Sequence, residues 1–248
     1  MTKKTTALYE TLSKMNKFQI LDQYPEERQN RILRMLSRDE ILRLSLKSCC
    51  HRHSFLSHPD CFREELEKKE KVGYFDLECT NLKSDYGIIM SYCIKVAGGE
   101  VIGRQITRDE IQSKTKDKAL IKEIISQLRK FDRIITFYGA RFDFPFIRTR
   151  AVKWGLDFPI IKEIFHTDVY DIIKRKFNMS RRSLKNCCAF FKIPAKQHPL
   201  EPDVWQDALI GEKKALNYVY QHNIEDVVCL ETLYNKVRKY ATLNNTSI

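Results

Sequence analysis

The chain has 248 residues, with 44 lysines and arginines against 32 aspartates and glutamates, a formal net charge of +12. A content of 43% hydrophobic and 31% charged residues excludes bulk disorder. No window holds the roughly 18 uncharged apolar residues that a membrane span needs. The surplus positive charge points to a polyanionic partner, most often nucleic acid, with an inert basic surface as the alternative.

The opening MTKKTTALYETL is basic but has no apolar core segment. No secretory signal and no membrane association are therefore expected, and the location expected is cytoplasmic. In that reducing setting the eight cysteines are expected to be thiols or metal ligands rather than disulfides.

Residues 1–70 read as a helical N-terminal segment and 71–248 as the main domain. Apolar residues recur at helical spacing at Ile32, Leu33 and Leu36, then at Ile41, Leu42, Leu44 and Leu46. Ser37 and Glu40 form a capping-box pattern before the second group. The charged run EELEKKEKV is read as a joint to the main domain.

From residue 72 the period changes. Val72–Leu77, Ile88–Val96 and Val101–Ile106 are expected strands, the last two joined at Gly98-Gly99. Thr107 and Glu110 form a second capping box, so a helix is expected from there to about Lys130. Arg133–Tyr138 is a fourth expected strand. Helices are expected near Phe144–Trp154, Val169–Phe177, Ser183–Phe191 and Glu212–Tyr240. Three successive strands, then helix, strand and helices, predict a mixed sheet with flanking helices.

The chemistry concentrates in acids. Asp76 and Glu78 are two apart on an expected strand, so they share a face. Their mutual repulsion becomes attraction around a divalent cation; otherwise both are solvated at a strand end. Asp143 follows the aromatic run Phe137-Tyr138-Gly139-Ala140-Arg141-Phe142, either as a ligand or as a helix N-cap. Asp226 lies among Val219, Ile224, Val227 and Leu230 of a long amphipathic helix, where it points inward or is solvated.

Together Phe75-Asp76-Leu77-Glu78, Phe142-Asp143-x-Pro145, and Asp226 after His222 resemble the three exonuclease motifs of the DEDD superfamily of ribonuclease H-like 3′–5′ exonucleases. His166-Thr167-Asp168-Val169-Tyr170, Ser183-Leu184-Lys185-Asn186 and Lys192-Ile193-Pro194 match the intervening text. The resemblance is to stand-alone relatives of family B DNA polymerase proofreading domains, over residues 72–240.

The resemblance implies a ribonuclease H-like α/β fold and hydrolysis of phosphodiester bonds with two Mg²⁺ or Mn²⁺ ions. It implies Asp76 as the ligand of both ions, Glu78 and Asp226 at the site of the attacking water, and Asp143 on the second ion. One branch of the family has Tyr four residues before the last Asp, and another has His five before it. Here 226 − 4 = 222 is His222, so spacing follows one branch and residue type the other. His222 is expected to orient or deprotonate the water; the alternative is an exposed helical histidine.

Three cysteines and three histidines fall within residues 49–61. Cys50-x₂-His53 with His58-x₂-Cys61, or Cys49 in place of Cys50, supplies a tetrahedral Zn²⁺ set. The alternative is a His-rich loop with incidental thiols. Lys174, Arg175 and Lys176, with Arg181, Arg182 and Lys185, are candidate phosphate contacts for a threaded strand. Phe75, Tyr138, Phe142 and Phe144 are either base-stacking or core aromatics.

The function expected is a metal-dependent 3′–5′ exonuclease on single-stranded or frayed nucleic acid, DNA favoured, with a small zinc-bearing N-terminal segment. The rivals are a non-catalytic nucleic-acid binder of the same fold and a structure-specific endonuclease.

Overall fold

The computed structural model describes residues 9–15, 19–20, 38–47, 52, 70–159, 164–194 and 201–241. The chain divides into two compact units, Met1–Glu70 and Lys71–Ile248. In the first unit, residues 9–13 are helical and α1 spans Arg38–Ser45. Ile41, Leu42 and Leu44 are buried, and the Arg38 Nε donates to the Met15 carbonyl at 2.9 Å. The expected capping residue Ser37 and the cluster Cys49, Cys50, His53, His58 and Cys61 lie outside the described residues.

The second unit is built on a five-stranded sheet. Its strands are β1 (Val72–Cys79), β2 (Ile89–Val96), β3 (Val101–Gln105), β4 (Arg133–Thr136) and β5 (Phe165–Asp168), in the order β3-β2-β1-β4-β5. The β1–β2 and β2–β3 pairs are antiparallel, whereas β1–β4 and β4–β5 are parallel. The expected mixed sheet with flanking helices is thus present. Gly98 takes φ 65° at the β2–β3 turn, a value that the glycine tolerates without a Cβ clash.

Alternation along the strands divides the core. Phe75 and Leu77 of β1 pair with Ile94 and Tyr92 of β2 and face one cluster with Ile121, Ile124, Phe144 and Ile147. Those residues come from α3 (Lys118–Leu128) and α4 (Asp143–Lys153). On the other face Tyr74 and Cys93 pack with Val227, Leu230 and Leu233 of α8 (Lys213–Val237). The α5 helix (Val169–Lys176) and α6 (Leu184–Phe190) complete that side. Asp76 opposes Cys93 and Glu78 opposes Ser91, so both acids stand on the face that α8 covers.

The expected helix from Thr107 is interrupted. The capping box is present, but it opens only α2 (Arg108–Gln112), and α3 starts at Lys118. The break serves a buried ion pair: Asp117 takes two hydrogen bonds from Arg150, at 2.6 and 3.0 Å, and one from the Ile89 N–H at 3.1 Å. A continuous helix would carry Asp117 away from these partners. The fourth strand ends at Thr136 rather than Tyr138, because the chain turns there into the loop before α4. Two elements were not expected, β5 and α7 (Pro202–Leu209).

Candidate active site

Helix α8 is fixed along its length. The Glu212 side chain caps its start by accepting the Ala215 N–H at 2.6 Å. Near its end Glu231 pairs with Lys95 at 3.2 Å and accepts the Gly98 N–H at 2.8 Å. Val219, His222, Asn223, Asp226, Val227 and Leu230 are buried on it, a stripe at helical spacing that faces the sheet. Three polar side chains therefore interrupt an otherwise apolar face, next to the two acids of β1.

The contacts follow from that registration. His222 Nε2 lies 3.7 Å from Glu78 Oε1 and 3.6 Å from Asp226 Oδ2. Ligand atoms of Glu78, His222 and Asp226 all fall within 4.8 Å of one another. His222 is buried, not an exposed helical histidine. Asn223 Nδ2 donates to Asp76 Oδ2 at 2.8 Å, which ties the second β1 acid to the same helix.

Asp143 enters from the other side, in the first turn of α4. It is buried, and its carboxylate interacts with the backbone of Leu77, the residue between Asp76 and Glu78. Burial pushes its pKa up to about 7; the charges of Asp168 and Asp226 add to the rise, and backbone hydrogen bonds from Asp143 and Leu77 oppose it. The thiols report the same concentration of charge. Burial, then Glu78, Asp143 and Asp76, raise Cys79 to about 12. Burial, then Asp76, Glu78 and Asp226, raise Cys93 further.

The loop from β4 to α4 is set by Asp168 at the end of β5. Its carboxylate accepts the N–H of Tyr138 at 2.8 Å and of Ala140 at 3.1 Å, while also capping α5 through the Tyr170 N–H at 3.0 Å. Gly139 donates to Thr136 Oγ1 at 3.1 Å. A Cβ at Gly139 would stand 2.4 Å from that oxygen, so no other residue fits there. His166 hydrogen-bonds Thr136 Oγ1 at 2.8 Å, and burial, with Arg133 adding, lowers its pKa to about 3. It is a neutral structural histidine.

The structure therefore brings Asp76, Glu78, Asp143, His222 and Asp226 to one corner, where β1, α4 and α8 meet. Asn223 and Asp168 were missed in the sequence. Asn223 carried a signal, a second polar residue on the apolar stripe of α8. Asp168 had only its place in the intervening text. Of the basic candidates, Lys174, Arg175, Arg181 and Lys185 are exposed. Arg182 is half-buried and lines an open groove with Tyr138 and Tyr170. Phe75 and Phe144 are core residues, stacked on each other at 6.0 Å, and Phe142 packs partly buried against the core.

Asp143 Oδ1 is buried without a hydrogen-bond partner among the described residues, a costly arrangement that a cation would relieve. Carboxylate oxygens are the ligands that Mg²⁺ and Mn²⁺ prefer. The residues fit such an ion.

A family model described as the RNase H superfamily matches residues 73–238. This chain belongs to the RNase H superfamily. Among curated proteins, this RNase H-like chain is 27% identical over 147 residues to a DNA polymerase of Methanocaldococcus jannaschii, covering 49% of the chain and 9% of that protein. It is 24% identical over 163 residues to DNA polymerase 1 of Pyrococcus abyssi, covering 56% and 20%. The chain thus spans a minor part of the relatives it matches. The solved family B DNA polymerase of Pyrobaculum calidifontis shares the fold, with a TM-score of 0.56 and 16% identity over 68% of this chain and 24% of that one. The resemblance to RNase H-like 3′–5′ exonucleases is supported at the level of the superfamily. Among the described residues no helix is long and apolar enough to cross a membrane.

Proposed function

We propose that this RNase H-like chain is a metal-dependent 3′–5′ exonuclease that hydrolyses phosphodiester bonds of single-stranded nucleic acid, DNA in preference. One observation carries the reading: Glu78, His222 and Asp226 offer ligand atoms within 4.8 Å of one another, with Asp76 and Asp143 held against the same strand. Matches to DNA polymerases support nuclease activity and favour DNA.

Asp76, Glu78, Asp143 and Asp226 would hold two Mg²⁺ or Mn²⁺ ions. Such ions, when bound, neutralise charge on the attacking and leaving oxygens of a phosphodiester. The protein's own part is positional and acid–base. Asn223 fixes the rotamer of Asp76, and the backbone of Leu77 holds Asp143. His222 orients the attacking water and takes its proton. The exposed cations of α5 and α6 draw the strand in.

The N-terminal unit is proposed to carry one structural Zn²⁺ through four of Cys49, Cys50, His53, His58 and Cys61. The test of function is degradation of labelled single strands with Mg²⁺ or Mn²⁺ against EDTA. A protein that binds the strand and shortens nothing is the non-catalytic rival. One that opens a circular single strand is the endonuclease.

A further inference from the structure

Tyr138 adopts φ 71°. A bulky L-residue in this left-handed conformation is strained, and it persists only where the surroundings over-determine it. Those surroundings are Asp168, which accepts the N–H groups on both sides of Gly139, and Thr136, which accepts that of Gly139 itself. The result is a tyrosine that is 42% exposed, in a loop whose other aromatics, Phe137 and Phe142, pack against the core clusters.

The ring is held rigidly. It stands edge-on to Tyr170, with centroids 4.8 Å apart at 82°. The Arg141 guanidinium lies 5.6 Å from the Tyr138 centroid and 5.5 Å from that of Tyr170. Arg141 is itself fixed by Asp171 at 2.9 Å. Beside the ring runs an open groove lined by Phe137, Tyr138, Tyr170, Arg182, Ser183 and Leu184. Arg182 Nε is buried and has no hydrogen-bond partner among the described residues.

An accessible aromatic face, a guanidinium over its ring and an unsatisfied guanidinium donor nearby match a planar apolar group joined to an anion. We propose that Tyr138, Arg141, Tyr170 and Arg182 form a subsite for one unpaired nucleotide, its base stacked on Tyr138 and its phosphate against Arg182. Stacking on a rigid aromatic needs a base with a free face, so a single strand is favoured over a duplex. The subsite adjoins the acids: the Gly139 carbonyl accepts the Phe144 N–H at 3.1 Å, next to Asp143. It rests on the reading that the acidic corner acts on nucleic acid.

The test is binding without turnover. Affinity for a short oligothymidylate, and for an abasic strand of the same length, is measured by fluorescence anisotropy in EDTA. Tyr138→Gly is expected to weaken the thymidylate complex roughly 5- to 100-fold and to leave the abasic complex within about twofold. Its melting temperature is expected to stay close to that of the wild type, relief of the positive φ offsetting the lost ring contacts with Tyr170 and Arg141. Tyr138→Asn, which also tolerates that conformation, repeats the measurement independently. Tyr138→Phe keeps the ring and keeps the affinity, whereas Arg182→Gln weakens both complexes.

Equal loss with both strands, or no loss, in the Gly and Asn variants overturns the subsite. A wild type that binds neither strand overturns both the subsite and the nuclease reading. Base-dependent binding by a wild type that cleaves nothing supports the subsite and removes only the hydrolase reading.

Discussion

Asn223 Nδ2 donates to Asp76 Oδ2 at 2.8 Å, joining the long helix to the first strand across 147 residues of chain. The amide is fully buried, so its direction is fixed by packing. Groups that orient a metal-binding carboxylate typically contribute 10- to 100-fold to affinity or activity. Asn223→Ala is therefore expected to reduce turnover by about that factor, with a matching loss of Mg²⁺ or Mn²⁺ affinity by calorimetry. Unchanged metal affinity in a folded Asn223→Ala protein would remove this role.

Asp143 makes the metal-free protein sensitive to pH. Its folded pKa is about 7, raised from an ordinary 3.8 chiefly by burial. Between those values the folded state keeps a proton that the unfolded state releases. The stability from the protonated form is complete below about pH 4 and is lost as pH rises through about 7. The melting temperature without metal should fall over that interval. His166, with a pKa lowered to about 3, works oppositely, losing stability as pH falls below about 6.5. Comparison of wild type with Asp143→Asn cancels the histidine. The variant should show a flatter decline, and added Mn²⁺ should raise the wild-type melting temperature more at about pH 8 than at about pH 5.

His222 contacts both Glu78 and Asp226, so its removal should affect the chemical step. A positioned acid–base group typically contributes 10²–10⁴-fold. His222→Ala is expected to lower kcat by about that range with little change in KM. His222→Tyr, which restores the residue type that one family branch has at this spacing, should retain activity. Its pH–rate profile should differ in shape from that of the wild type, because a phenol replaces the imidazole as the proton acceptor. Identical profiles in wild type and both variants would show that the imidazole takes no proton.

The Cys/His-rich stretch at 49–61 gives its own expectation. Zinc should co-purify at about one per chain and survive brief chelation that strips Mg²⁺. Elemental analysis of protein prepared without added metal decides it. Absence of zinc in a folded chain favours incidental thiols.

The strands β1 to β3 and helix α8 were legible because each has a strong single period, two along the strands and about 3.6 along the helix. The four acids stand out in the sequence only through the three motifs taken together; singly, each reads as well as a solvated or helix-capping residue. The rest was set by partners distant in sequence. Phe165–Asp168 has four residues, three of them polar or charged, and becomes a strand only by pairing with β4. The break before Lys118 exists because Asp117 must meet Arg150, 33 residues on. Pro202–Leu209 is short and most of its residues are exposed, so its apolar pattern is weak. Asn223 is marked in the sequence only as a polar residue on the apolar stripe of α8; its partner, Asp76, follows from the register of α8 on β1.

The central claim, metal-dependent shortening of a single strand from its 3′ end by the Asp76 site, is tested most directly with a 5′-labelled oligonucleotide. Wild type and Asp76→Asn are followed in time with Mg²⁺ or Mn²⁺ and with EDTA. The account predicts a ladder of 5′-labelled products that shorten progressively in metal and do not form in EDTA. It predicts a loss of at least about 10³-fold in the Asn variant, while the melting temperature without metal stays equal or rises as carboxylate repulsion is relieved. Equal degradation by Asp76→Asn and wild type, or a wild type that leaves the strand intact with either metal, would contradict it.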